Sequence, residues 1–196
     1  MSATRTFLSA VCLLGIAAGG ASATTITFSG LSGANGAVLA PYAEGGFTVT
    51  PTVGTWFEGQ LFGNPVPSIF SGPFFGSPAT DAIMVTDGGQ RFTFSALDLA
   101  ANNGNVNFTF TGTLLGAPVF NVTGTLPTNT GVFTTELSGV SADVIDSLTV
   151  TTNILGTSTN IDNIVVSAVV PEPASLALLG GALLGLGLLL RRHNRV

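Results

Sequence analysis

The 196-residue chain contains no lysine, and it has one histidine, one cysteine, one tryptophan and one tyrosine. Only 8% of it is charged, ten acids against five arginines, where an ordinary globular chain has roughly 25%. Each shortage closes a class of function. A chain of net charge −5 without lysine cannot neutralise a phosphate backbone, so nucleic acid is excluded as a partner. A single cysteine, Cys12, builds no disulfide framework. The one histidine, His193, lies beyond the last apolar run. The chain between residues 24 and 168 therefore offers no Ser–His or Cys–His pair and no zinc site with nitrogen or sulfur ligands. Its 45% hydrophobic content is too high for a disordered chain.

The few arginines sit mostly at the ends. Arg5 opens the chain, Arg191, Arg192 and Arg195 close it, and Arg91 alone lies between. After Arg5 come an apolar run over Phe7–Ala18 and small residues at Ala21 and Ala23. A basic start, an h-region of about a dozen residues and an A-x-A site are the marks of a secretory signal peptide. Residues 1–23 are read as that peptide, cut by signal peptidase after Ala23.

The other end reads Val170-Pro171-Glu172-Pro173, an apolar stretch over Ala174–Leu190, then Arg191 and Arg192. An apolar run of this length is at the lower limit for a transmembrane helix, and the basic tail over 191–196 belongs on the cytoplasmic side. Two prolines around Glu172 continue neither a helix nor a central strand, so residues 169–173 should stay extended and accessible to a protease. This order of parts closely resembles the PEP-CTERM sorting signal of Gram-negative bacteria. The resemblance implies processing by an exosortase near Pro171–Pro173. It also implies transient anchoring in the inner membrane, then a cell-surface or extracellular-matrix destination linked to exopolysaccharide.

The remaining body, 24–168, holds nine acids and Arg91. Short alternating runs with Gly, Asn and Pro between them predict strands at 25–29, 46–50, 82–86, 91–99, 106–113, 119–125, 132–137, 147–152 and 161–168. Nine such runs without an amphipathic helix point to an all-β fold, a β-sandwich of jelly-roll-like kind. The aromatic- and proline-rich stretch 45–79 breaks the pattern and is expected to be an ordered excursion packed on the sandwich. The phrases Tyr42-x-Glu44-x-Gly46-Phe47 and Asn160-Ile161-Asp162-Asn163-Ile164 resemble the first and last segments of β-sandwich bodies in PEP-CTERM proteins, which agrees with that fold.

Site chemistry is sparse, and no catalytic residue is assigned. Trp56, with Tyr42 and Glu58, is the candidate sugar platform, the alternative being that Trp56 fills the core. Asp98, with the oxygen-rich Asn102–Asn105 loop, and separately Asp162 with Asn163 are candidate oxygen ligands of a structural calcium, the alternative in each case being turn chemistry. Glu44, Glu58 and Asp81 are the acids nearest the aromatic excursion, and a glycosidase would need two of them facing each other across a cleft. The expectation is an exported, non-enzymatic protein with a structural or adhesive role. A specific carbohydrate-binding module is the alternative, and a carboxylate-dependent glycoside hydrolase comes third.

Overall fold

A computed structural model describes residues 22–72, 79–102, 104–128, 131–154, 158–169, 180–186 and 191. Ala21–Val169 form one compact unit. Its strands are β1 (Ala23–Ile26), β2 (Tyr42–Glu44), β3 (Phe47–Val53), β4 (Trp56–Gly59), β5 (Ser68–Ser71), β6 (Ala79–Thr86), β7 (Phe92–Ala101), β8 (Val106–Leu114), β9 (Ala117–Leu126), β10 (Thr134–Leu137), β11 (Ser147–Ile154) and β12 (Thr159–Ala168). They form two six-stranded antiparallel sheets. The first runs β10-β7-β12-β5-β4, with β1 also on β12. The second runs β2-β3-β6-β11-β8-β9. The strand β12 carries β1 and β5 at different heights, β1 beside Ile164–Ser167 and β5 beside Asn160–Ile161.

The reason for sheet formation is plainest in β8. Val106, Phe108 and Phe110 are buried, while Asn107, Thr109 and Thr111 alternate with them on the wetter side. Period two places every apolar residue on one face, and that face must be covered. The cover is the other sheet. Phe110 of β8 meets Phe94 of β7 edge-on at 5.3 Å, and Phe47 of β3 meets Phe92 of β7 at 5.4 Å. Edge-to-face rings at this spacing are favoured by their quadrupoles. Two glycines make room for rings within the second sheet. A Cβ at Gly124 would come within 2.2 Å of the Phe108 ring, and one at Gly112 within 2.4 Å of Phe120.

The stretch 45–79 differs from expectation. It supplies β4 and β5, full members of the first sheet, rather than an excursion laid upon it. Trp56 and Ile69 point into the core, while Phe57 and Phe70 stack at 5.4 Å on the opposite side. Large apolar residues on both faces hide the alternation that marks the other strands. Within this stretch, residues 73–78 lie outside the described residues.

Residues 180–186 are helical. Among the described residues, no helix is long and apolar enough to cross a membrane. Ala21, Val170, Pro171, Glu172, Pro173 and Arg192 lie outside the described residues, as does most of 174–190.

Candidate functional site

Thr135, Asp98 and Asp162 stand side by side in register on β10, β7 and β12. They share a face of the first sheet, opposite the core side taken by Leu99 and Ile161. Both aspartates are nevertheless buried, Asp162 at 0% and Asp98 at 5% exposure. The cover is the loop between β4 and β5, residues 60–67. Its Asn64 donates its backbone N–H to Asp162 Oδ2 at 2.7 Å and its Nδ2 to Asp98 Oδ2 at 3.2 Å.

Asn163 completes the network. It sits at φ 46°, a left-handed conformation that asparagine tolerates better than most residues, next to a register shift in the β12–β7 ladder. Its N–H donates to Asp162 Oδ1 at 2.8 Å, and its Nδ2 donates to Asp98 Oδ2 at 2.9 Å and to the Asn64 carbonyl. Thr135 Oγ1 donates to Asp98 Oδ1 at 2.6 Å. Burial pushes the Asp162 carboxyl up to about 6, with the charges of Asp98 and Glu44 acting in the same direction and the N–H donors of Asn64 and Asn163 opposing them.

The expected calcium ligands Asp98, Asp162 and Asn163 are thus brought together. Every carboxylate oxygen of the two aspartates accepts at least one N–H or O–H hydrogen bond. Among the described residues no group of three or more His, Cys, Asp or Glu side chains is placed to hold a metal.

A second polar row adjoins the first. Asn102 Nδ2 donates to Ser158 Oγ at 2.6 Å and to Asn160 Oδ1 at 2.7 Å. Asn160 Nδ2 reaches Ser68 Oγ, which itself donates to the Phe62 carbonyl at 2.7 Å. Asn102, Ser158 and Asn160 of this row line a cavity of about 40 Å³ with Asn35, Phe62 and Phe70. A larger cleft of about 260 Å³ opens between Gly63–Asn64 and Gly131–Phe133.

The expected sugar platform is corrected. Trp56 is 1% exposed and its Nε1 donates to the Val53 carbonyl at 3.3 Å. The indole is a core side chain with neither face open to a ligand. Tyr42 packs on Phe28 at 5.4 Å, accepts the Gly30 N–H and donates its hydroxyl to Glu44. Burial raises the Tyr42 hydroxyl above its ordinary range, opposed by the Gly30 bond and helped by Glu44. Glu44 also accepts from Thr27 N, Phe28 N and Thr27 Oγ1, which fixes the chain leaving β1. Glu58 accepts the Gly33 N–H at 2.7 Å and Gln60 Nε2 at 3.3 Å. Asp81 is buried at 1% exposure and raised by that burial, with a bond from Ser71 opposing. Glu44 and Glu58 hold separate parts of the chain, Thr27–Phe28 and Tyr42 for the first and Gly33 and Gln60 for the second.

Sequence reasoning missed Asn64 and Thr135. Each is an ordinary polar residue in a loop or short strand, and only the register with Asp98 and Asp162 makes it part of a site.

Residues 169–192 match the PEP-CTERM protein-sorting motif. No curated protein matches the chain. Among solved structures, the chain is similar to a mutant of a family 29 carbohydrate-binding module, at 15% identity and TM-score 0.45 over 75% of this chain and 92% of the other. It is also similar to the family 11 carbohydrate-binding module from Clostridium thermocellum, at 10% identity and TM-score 0.40, covering 68% and 96%. A third similarity is to the enzymatically active domain of bacteriophage CBA120 tailspike protein 4, at 17% identity and TM-score 0.40. That match covers 64% of this chain and only 20% of the tailspike chain.

Proposed function

We propose that this protein is exported, passes through the inner membrane as an anchored intermediate, and is processed by an exosortase at its PEP-CTERM sorting motif. Its mature β-sandwich then serves at the cell surface or in the extracellular matrix, in a non-enzymatic structural or adhesive role linked to exopolysaccharide. The observation that carries the reading is the sorting motif at residues 169–192. Support comes from the arginines, four of which flank terminal apolar runs, and from a body without Lys, His or Cys.

Deleting residues 170–196 tests the sorting step. The truncated protein is expected to leave the membrane-processing route and to appear in a different cell fraction from the wild type. Identical fractionation of the two proteins would refute the role of the motif.

A second reading, a specific carbohydrate-binding module, is favoured by the amide-lined outer face of the first sheet. Trp56 has no part in it.

A further inference from the structure

The cleft between Gly63–Asn64 and Gly131–Phe133 has three properties that together define a ligand class. The first is a fixed polar group at its wall. Asn64 is exposed at the surface, yet it is held through its backbone N–H by Asp162, through its Nδ2 by Asp98, and through its carbonyl by Asn163. Among the described residues its Oδ1 has no hydrogen-bond partner, and one Nδ2 hydrogen is left over. The buried carboxylate pair thus anchors this loop through Asn64 while also holding Thr135 and Asn163. Preorganising a donor–acceptor group in this way lowers the entropy cost of binding.

The second property is one apolar wall beside the polar one, formed by Val132 and Phe133. Phe133 is half-buried in the lining, and Val132 beside it is 57% exposed. Single exposed apolar residues are ordinary, so the weight rests on Val132 and Phe133, which line the cleft itself.

The third is that no described lining residue is charged, with two carboxylates directly behind Asn64. An anionic ligand would meet Asp98 and Asp162 and no compensating cation in the lining. A cation would find the carboxylate oxygens already occupied by N–H and O–H donors. A neutral, hydroxyl-rich ring fits both walls, because its C–H face packs on an aromatic ring and its hydroxyls pair with an amide. Cavities for drug-sized ligands run to roughly 300–1,000 Å³, so a cleft of about 260 Å³ holds a short stretch of chain.

We propose that this cleft binds a neutral saccharide segment, with Asn64 as the hydrogen-bonding residue, Phe133 as the ring contact, and Asp98 and Asp162 as positioning residues. The proposal rests on the polysaccharide-linked reading above and names its site.

The test uses the full chain in detergent, titrated calorimetrically with cellohexaose, mannohexaose and xylohexaose. The wild type should bind at least one of them, with little dependence on salt. Phe133→Ala should weaken that binding at least tenfold. Val132→Trp, which fills the cleft from an exposed position, should do the same, and both variants should keep the wild-type melting temperature. Leu115→Ala, at an exposed turn between β8 and β9, should bind like the wild type. If the wild type binds and both cleft variants bind equally well, the cleft is not the site while the saccharide reading stands. If the wild type binds none of the three sugars, the site and the saccharide part of the reading fall, while the sorting step, carried by residues 169–192, stands or falls on the deletion experiment.

Discussion

The two sheets share one core but treat their outer faces differently. On the β2-β3-β6-β11-β8-β9 sheet the outer positions are wet. Asn121, Thr123 and Thr125 of β9 are exposed, and Thr109 and Thr111 of β8 are partly so. On the other sheet β5 is buried at all four positions, and β7 and β12 are buried on both faces over 97–101 and 159–162. That doubly buried end is where the polar side chains gather. Ser68, Asp98, Asn160 and Asp162 are all buried there. A wet threonine face costs nothing to leave alone. A buried polar face needs internal partners, and loop 60–67, Asn102 and Asn163 supply them, while Thr159 Oγ1 on the core side of the same end is buried without one among the described residues. The contrast separates a face left open to water from one whose side chains are held in fixed positions.

Mutations and pH can break that contrast in graded steps. The largest effect should come where the sheets meet. Phe94 is 0% exposed and packs on Phe110 across the core, so Phe94→Ala should cost about 3–5 kcal/mol. Denaturant unfolding should show both sheets lost in one transition. Two separate transitions would mean that the sheets do not depend on a shared core.

Next is the pH response of the covered face. The folded state raises Asp162 from the ordinary carboxylate value of 3.8 to about 6, so between these values it binds a proton more tightly than the unfolded chain does. Stability should therefore fall as pH climbs from about 4 to about 6 and level off above, by roughly 3 kcal/mol at most. Asp81, also raised by burial, contributes with the same sign. Thermal melts across this range should show the fall, and Asp162→Asn should flatten most of it.

Smaller still is the cost of unpinning the loop. Asp98→Ala leaves Thr135 Oγ1 and the Nδ2 groups of Asn64 and Asn163 without their acceptor. The loss should be about 1–3 kcal/mol. Hydrogen exchange should quicken at the Asn64 N–H, while the β8–β9 ladder keeps its protection. On the wet face, Thr123→Ala should stay within about 0.5 kcal/mol of the wild type.

The same contrast explains what could be read from the sequence. The strands β8, β9 and β11 alternate cleanly because one side of each meets water, and their expected spans lie close to the observed ones. The strands β4 and β5 were hidden, because Phe57 and Phe70 put apolar residues on the outer face as well. Asp98 and the Asp162–Asn163 pair were legible as two separate oxygen-rich spots, since Asp and Asn beside strands draw attention in a chain with so little charge, but only the β7–β12 register joins them. Their partner Asn64 was not, because it comes from 98 residues away from Asp162 and no local pattern records a contact of that range. Trp56 shows the opposite difficulty. A lone indole beside Phe57 and Glu58 reads equally well as a platform or as core, and only its 1% exposure decides between them.

The central claim, that the terminal apolar runs are addressing signals and the β-sandwich is the delivered product, is tested most directly by the intact mass of the mature protein isolated from its producing cell. The account predicts a chain that begins at Thr24 and ends near Pro171–Pro173, with any group attached at the new C-terminus visible as added mass. A mature chain that still carries residues 174–196 would contradict it.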